Sequence, residues 1–554
     1  MSHPAGINRD AALREKWLKH GAGVLFALLV AACFRFHQLG ASAFRADTIM
    51  FYDLCHRPLS AWTIMTNWME LVGVTAQFPF PLAAAKGMIN LFHLEPTDFN
   101  IRLSSALFGA LTVIPAFYIG NLLRGRWFGV LLALLIAVNP FHIQLSREAY
   151  FYAPMILGLA MQLGATLWIV RQAGTARRLS WPFFAAVGLG VFLAAYSHMS
   201  GWYLTAAALL VQAWIMVGRA RLSRMLWNEM AVLAGIYLVI GLPLLFAAWG
   251  LPYFIDAMLN PETVELNKKI LRTEFIPIWE EALRIGAVMG LGSTRLRGGF
   301  TLLVLALGAG MLARRRRQPD TVVVMAMMAF GFIIYEVAHR ASGHPLSFRH
   351  ASFLFMPYQV WLALGIWAPL EHYSDRAVAC RWRWQICCLA TAGAALVLAA
   401  PPAWAAASLL GKPIPYKQIG VWCDRHLPAH SLVLVERWFD PWNELRVHNS
   451  TNVFYTFTVP SEPDDTFARN NWPATAKAFF QRFPDAAYLE YCNGDQAKCG
   501  VVTNWSFARQ MVFTNGPAIK LAKWGLAYRD EFYDAHTNRM LTTIFYNTRE
   551  DVLA

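Results

Sequence analysis

The chain consists of apolar runs of about 20 residues separated by short polar connections, and this alternation decides what it can fold into. A helix of about 20 mostly apolar residues crosses a bilayer core. In lipid, every backbone N–H and C=O must find its partner within the protein. Such runs centre near residues 30, 112, 134, 162, 190, 210, 239, 306, 329, 360 and 395. The sequence therefore predicts a polytopic α-helical membrane protein of about eleven spans. Composition agrees: 57% of the 554 residues are hydrophobic and 15% are charged, against about 25% charged in soluble domains. The net charge of +14 does not point to nucleic acid, because the basic residues form short clusters between apolar runs and no single stripe. Ala41-Ser42-Ala43 resembles a leader cleavage site, but the further apolar runs favour an uncleaved first anchor.

Basic clusters mark every second connection. Arg9, Arg14, Lys16 and Lys19 precede the first run; Arg124 and Arg126, then Arg171, Arg177 and Arg178, then Arg219, Arg221 and Arg224 follow later ones. Arg314 to Arg317 and then Arg376, Arg381 and Arg383 complete the series. By the positive-inside trend these lie on the cytoplasmic side together with the N-terminus, which puts the C-terminal region outside. The outer connections are then about residues 40–101, 140–152, 197–202, 250–299 and 339–351. The aromatic, amphipathic stretch from Asp53 to Lys86 is expected along the membrane surface. Residues 1–409 form the membrane domain, and 410–554 change character. Runs at 431–436, 453–459, 486–491 and 540–546 read as strands and 474–483 as a helix, so a small extracytoplasmic α/β domain is expected. It carries no Gly-rich phosphate loop. Cys492 and Cys499 bracket a polar turn and are candidates for a disulfide, with Cys423 as a competing partner. Cys33, Cys387 and Cys388 read as packing residues, and no Cys/His spacing suits zinc.

Chemistry is sought at outer span ends, where ionisable groups near lipid are costly. Asp47 follows the first run; a carboxylate there suits a general base or a ligand for a divalent cation. Between the third and fourth runs lies Asn139-Pro-Phe-His-Ile-Gln-Leu-Ser-Arg-Glu-Ala-Tyr-Phe-Tyr. Pro140 ends one helix; Ser146 is expected to cap the next, with Glu148 in its first turn beside Arg147. Before the tenth run, Arg340 and Arg349 with His339, His344 and His350 make an electropositive rim against the charge trend, and arginine forks suit phosphate. His198 reads by itself as a turn residue, and Lys86 either faces a phosphate or snorkels.

Together these segments resemble the C-type (GT-C) membrane glycosyltransferases, in the branch of protein O-mannosyltransferases and bacterial lipid and polysaccharide glycosyltransferases. The strongest stretch runs from Asn100-Ile-Arg-Leu-Ser-Ser-Ala-Leu-Phe-Gly through Asn139-Pro-Phe-His to Ser146-Arg-Glu-Ala, with Tyr152 beyond. Ser197-His-Met-Ser-Gly and Arg349-His add weaker matches. The resemblance implies hexosyl or pentosyl transfer from a polyprenyl-phosphate sugar to a glycan, lipid or protein acceptor, without nucleic acid. It makes Asp47 the catalytic carboxylate, with Glu148 as a second acid. Arg349, Arg147, Lys86 and Arg340 become candidates for the donor phosphate, and His350, His198, Tyr152 and Asp53 accessory candidates. The family often has Asp-Glu where this chain has Asp47-Thr48, so a second acidic role is open there. A divalent metal ion, with Asp47 as ligand, is the one candidate cofactor. With no feature pointing to a dolichol pathway, a bacterial inner membrane is the expected setting, which puts the site on the periplasmic side. A lipid or small-molecule transporter or flippase is the alternative, opposed by the long outer connections, the appended domain and the lack of an internal repeat.

Overall fold

In a computed structural model of the chain, the described residues are 7–40, 48–72, 78–172, 178–220, 227–247, 252, 255, 260–261, 277–290, 295–314, 318–342, 349–374 and 381–411, and five strands between 432 and 546. The chain divides into two compact units, Met1–Leu39 with Arg57–Gly411, and Gly40–His56 with Lys412–Ala554.

The first unit is helical. Its helices are α1 (Ile7–Phe36), α3 (Ala61–Thr66), α4 (Trp68–Leu71), α5 (Phe80–Leu91), α6 (Asp98–Leu111), α7 (Val113–Arg124), α8 (Arg126–Ala137), α9 (Pro140–Arg147), α10 (Tyr152–Gln172), α11 (Trp181–Ala195), α12 (Gly201–Ala220) and α13 (Trp227–Phe246). They continue with α14 (Ile278–Met289), α15 (Arg295–Arg314), α16 (Pro319–Ser342), α17 (Phe355–Ser374) and α18 (Arg381–Gly411); a 3-10 turn, His350–Leu354, leads into α17. Among the described residues, seven helices are long and apolar enough to cross a membrane; the bent pair α8–α9 adds an eighth element, and three shorter apolar helices lie at Gly21–Phe36, Trp181–Ala195 and Leu389–Trp404. These elements sit where the sequence places its apolar runs. The protein is an integral membrane protein.

Burial separates the helices. The apolar window of α10 is 89% buried, as is that of His350–Ala368, whereas that of α13 is 17% buried. Small residues bring the central helices together. A Cβ on Gly158 would lie 2.6 Å from Ala194 N and Gly190 O, and one on Gly120 would lie 2.6 Å from the Gly129 Cα. Amides join the helices where lipid offers no partner. Gln162 Nε2 donates to Gly190 O and to Thr205 Oγ1, both at 3.0 Å. Gln212 Nε2 donates to Thr166 Oγ1 at 2.9 Å, and Gln212 Oε1 accepts from Tyr237 OH at 3.1 Å. Trp127, Trp181 and Trp227 are exposed in the first turns of α8, α11 and α13. Each follows a basic connection, as the interfacial aromatic belt of a membrane protein does. Cys33 is exposed, which corrects its reading as a packing residue: its position on α1 turns it away from the core. The side chains of Cys387 and Cys388 lie outside the described residues.

The α8–α9 break has a local cause. The Asn139 side chain accepts from His142 N–H and Pro140 occupies the first turn of α9, so the helix restarts there, bent by 57°. This corrects the expected cap. Ser146 lies inside α9 and donates to His142 O, and Glu148 ends α9 in an extended conformation, with α10 starting only at Tyr152. Asn139 caps α9, a helix the sequence reading did not separate, because Asn before Pro satisfies two starting requirements at once. The described residues of the stretch Asp53–Lys86 form short helices, and Lys86 is buried.

The second unit contains α2 (Ile49–His56) and a five-stranded mixed sheet of order β2-β1-β3-β5-β4. The strands are β1 (Leu432–Glu436), β2 (Val453–Phe457), β3 (Ala487–Tyr491), β4 (Tyr528–Tyr533) and β5 (Met540–Tyr546). β1 pairs parallel to β2 (Leu432↔Val453) and to β3 (Val433↔Ala487); β5 pairs antiparallel to β3 (Leu489↔Ile544) and to β4 (Asp530↔Ile544). β4 has no counterpart in the sequence reading, because Tyr-Arg-Asp-Glu-Phe-Tyr lacks an apolar run. It is an edge strand, where charge is tolerated. The helix expected over 474–483 and Cys423, Cys492 and Cys499 lie outside the described residues.

Candidate functional site

Three elements far apart in sequence bring polar rings together in the first unit. The segment after α9 supplies Tyr150 and Tyr152. The turn between α11 and α12 supplies His198. The 3-10 turn before α17 supplies Arg349 and His350. The Tyr152 ring lies 5.0 Å from that of His198 and 6.4 Å from that of His350, and the two imidazoles are 5.7 Å apart. The Tyr150 and Tyr152 rings are 4.9 Å apart, and the Arg349 guanidinium sits 5.3 Å from the Tyr150 ring centre. That spacing suits a cation over an aromatic face. The turn carrying His198 is fixed from outside, since Phe78 N–H donates to Ser197 O and Phe80 N–H to Tyr196 O, each at 3.2 Å.

His198 has a defined tautomer. Its Nδ1 accepts the Ser200 backbone N–H at 3.1 Å and lies 2.9 Å from Ser200 Oγ, which leaves the ring proton on Nε2. Burial, with the nearby Arg349 charge, pushes its pKa down to about 3. The ring is therefore neutral at ordinary pH and offers an N–H donor. A half-buried guanidinium, a neutral imidazole donor and two phenol rings form a surface suited to an anionic group with an adjoining polyol.

The remaining predicted residues are placed differently. Glu148 is buried, its Oε1 accepting from Gln144 Nε2 at 3.3 Å. It sits at the C-terminal end of α9, where the helix dipole disfavours an anion, the opposite of the expected first-turn site. Arg147 turns inward, Nη1 donating to the carbonyls of Phe34, Arg35 and His37 and Nη2 to that of Gln38. Lys86 Nζ donates to Arg57 O at 2.7 Å. The exposed Arg340 pairs with Glu336 one turn earlier, at 3.1 Å. Asp47 lies outside the described residues; Asp53 belongs to α2, its side chain likewise outside them. Among the described residues no group of three or more His, Cys, Asp or Glu could hold a metal ion.

Sequence reasoning missed Arg35, which is fully buried and central. It donates to Ala31 O, Ala137 O, Ile136 O, His142 Nδ1 and Ser146 Oγ. Its signal was available: a lone arginine in the apolar run Ala32-Cys-Phe-Arg-Phe. Asn139 was noticed only through its proline, yet its Nδ2 also donates to Met289 O and Gly290 O at the end of α14.

No protein-family model matches the sequence, and no curated protein matches it. Solved structures do match. The Archaeoglobus fulgidus oligosaccharyltransferase, in a complex with zinc and sulfate, aligns with a TM-score of 0.52 at 15% identity, over 96% of this chain and 73% of that one. ArnT from Cupriavidus metallidurans aligns in its apo state with a TM-score of 0.52 at 12% identity, over 95% of this chain and 98% of that one. Its structure bound to undecaprenyl phosphate aligns with a TM-score of 0.51 over the same shares. At these identities the likeness shows the fold: the chain has a GT-C glycosyltransferase-like architecture.

Proposed function

We propose that this chain is an inverting glycosyltransferase that moves a sugar from a polyprenyl-phosphate donor to an acceptor on the extracytoplasmic face of a bacterial inner membrane. The observation that carries the reading is the convergence of Tyr150, Tyr152, His198, Arg349 and His350 from three distant segments on a GT-C-like fold. A lipid-linked donor of this kind fits the neighbour solved with undecaprenyl phosphate.

In this reading all eleven apolar elements cross the membrane, the N-terminus is cytoplasmic, and residues 410–554 form an outer α/β domain that contributes to acceptor choice. Asp47 takes the proton from the acceptor hydroxyl or amine. The acceptor atom attacks the anomeric carbon, its new bond forming as the bond from that carbon to the phosphate oxygen breaks, and polyprenyl phosphate leaves with the electron pair. Arg349 is the phosphate partner, from its place over the Tyr150 ring and next to His350, which packs against His198 and Tyr152. His198 Nε2–H donates to the donor beside it. A fixed donor and guanidinium aimed at the leaving group stabilise the charge that develops there. A divalent ion held at Asp47 would neutralise charge on the same leaving phosphate.

The test is Asp47→Asn. The variant should lose transfer while still folding and binding undecaprenyl phosphate; normal turnover by the variant would remove Asp47 from the mechanism.

A further inference from the structure

The most buried cations in the first unit are not in the ring cluster. Arg35 and Arg147 are 0% and 1% exposed. Burying a guanidinium is costly unless its donors are met. Among the described ion pairs none involves either residue. Their terminal Nη donors go instead largely to helix ends, while Arg147 Nε is buried without a partner among the described residues. Arg147 takes four carbonyls from the last residues of α1 and the turn after it. Arg35, on α1 itself, takes the final carbonyls of α8 together with His142 and Ser146 of α9. C-terminal carbonyls carry partial negative charge, so these contacts offset both desolvation and the missing carboxylates.

The motif residues of the recognisable block lie on this junction. Gly109, of Leu-Phe-Gly, lets α6 pass over it: a Cβ there would lie 2.0 Å from Ser146 Oγ and 3.1 Å from Arg35 Nε. His142, of Asn-Pro-Phe-His, accepts from Arg35 on Nδ1 at 2.6 Å and stacks on Phe355 at 5.0 Å and 13°. Phe355 opens α17, directly after the turn that holds Arg349 and His350. One junction therefore ties together the end of α1, both sides of the α8–α9 break and the start of α17.

We propose that Arg35 and Arg147 form a buried clamp, and that Arg147 is a positioning residue for transfer and not a phosphate ligand. It fixes the end of α1, from which the chain runs on to Asp47, and it immediately precedes Glu148. The inference rests on the transfer reading above. A lysine in place of Arg147 keeps the charge, but its single ammonium cannot reproduce the spread of a planar fork.

The experiment uses the full chain in nanodiscs, comparing wild type with Arg147→Lys and, as a milder lesion of the same junction, Ser146→Ala. Amide hydrogen exchange is read over residues 34–40 and over α10, and transfer kinetics with a polyprenyl-phosphate sugar are measured in parallel. In Arg147→Lys, exchange over 34–40 should quicken about tenfold while α10 keeps its protection, since loosening is local. kcat should fall between about tenfold and a hundredfold with the donor KM within about twofold, the pattern of misplacement. Ser146→Ala should shift both readouts the same way by less, and it decides the matter if the lysine variant does not fold. Unchanged exchange in both variants would overturn the clamp. A donor KM raised with kcat preserved would return Arg147 to the phosphate. Failure of the wild type to use any polyprenyl-phosphate sugar would remove the transfer reading, and the exchange data would then judge the clamp by themselves.

Discussion

Arg147 and Arg349 each stand beside a chain break that precedes a central helix, and in the sequence they look alike. The fold treats them in opposite ways. Arg147 closes a short helix packed under α1 and spends its fork on backbone carbonyls. Arg349 precedes a 3-10 turn, stays half-buried and lies over the Tyr150 ring beside His198. The difference is the neighbourhood. Where helix C-termini face a guanidinium they take it up as a cap; where aromatic rings face it, it lies over them as a cation on an aromatic face. A basic residue near a span end therefore has no fixed role, and the end it faces decides.

The sharpest break between the two arginines is Arg349→Ala. If Arg349 meets the leaving phosphate, kcat/KM should drop by about 10²–10³, the cost of losing one preorganised partner of developing charge. Undecaprenyl phosphate binding should weaken as well, which the Arg147 variants should leave in place. Steady-state kinetics with a lipid-linked sugar check this, and retention of wild-type kcat/KM would equate the two sites.

Gly109→Ala probes the clamp side alone. The added methyl meets Ser146 and Arg35, and overpacking of this kind costs about 1–3 kcal/mol. Thermal unfolding in detergent should show a lower midpoint, and an unchanged midpoint would mean the junction gives way easily. The ring cluster carries the smaller, pH-dependent effect. Because the folded-state pKa of His198 is about 3, below its usual value of 6.5, the unfolded chain takes up this proton first. Stability tied to His198 is thus full above about pH 6.5 and is lost as pH falls toward 3. Between pH 6.5 and 4.5 wild type should lose more thermal stability than His198→Gln, and parallel loss in both would detach the histidine from this effect.

The fold was largely legible because a spanning helix announces itself by length and apolarity alone. Among the described residues, seven of the runs match helices long and apolar enough to cross a membrane, the run near residue 134 matches the bent α8–α9 pair, and three match shorter apolar helices. The cap expected at Ser146 for the fourth run failed because a short extra helix, α9, starts at Asn139 and takes Ser146 inside it, while α10 begins only at Tyr152. Arg349 and His350 were named from a basic outer connection and His198 and Tyr152 through the family resemblance, and these side chains lie near one another. Arg147 was named with them and does not, since sequence gives position along the membrane normal and not the direction in which a side chain turns. Arg35 was passed over inside an apolar run, although charge in such a run is the strongest hint a membrane sequence gives. β4 stayed hidden because a charged edge strand has no apolar signature.

The most direct test of the central claim supplies the purified full-length protein in nanodiscs with a panel of radiolabelled polyprenyl-phosphate sugars, with membrane extract as the acceptor source. The account predicts release of free polyprenyl phosphate and labelled product from at least one donor. No release from any donor, together with movement of lipid or solute across reconstituted vesicles, would contradict it and identify a transporter built on a glycosyltransferase-like fold.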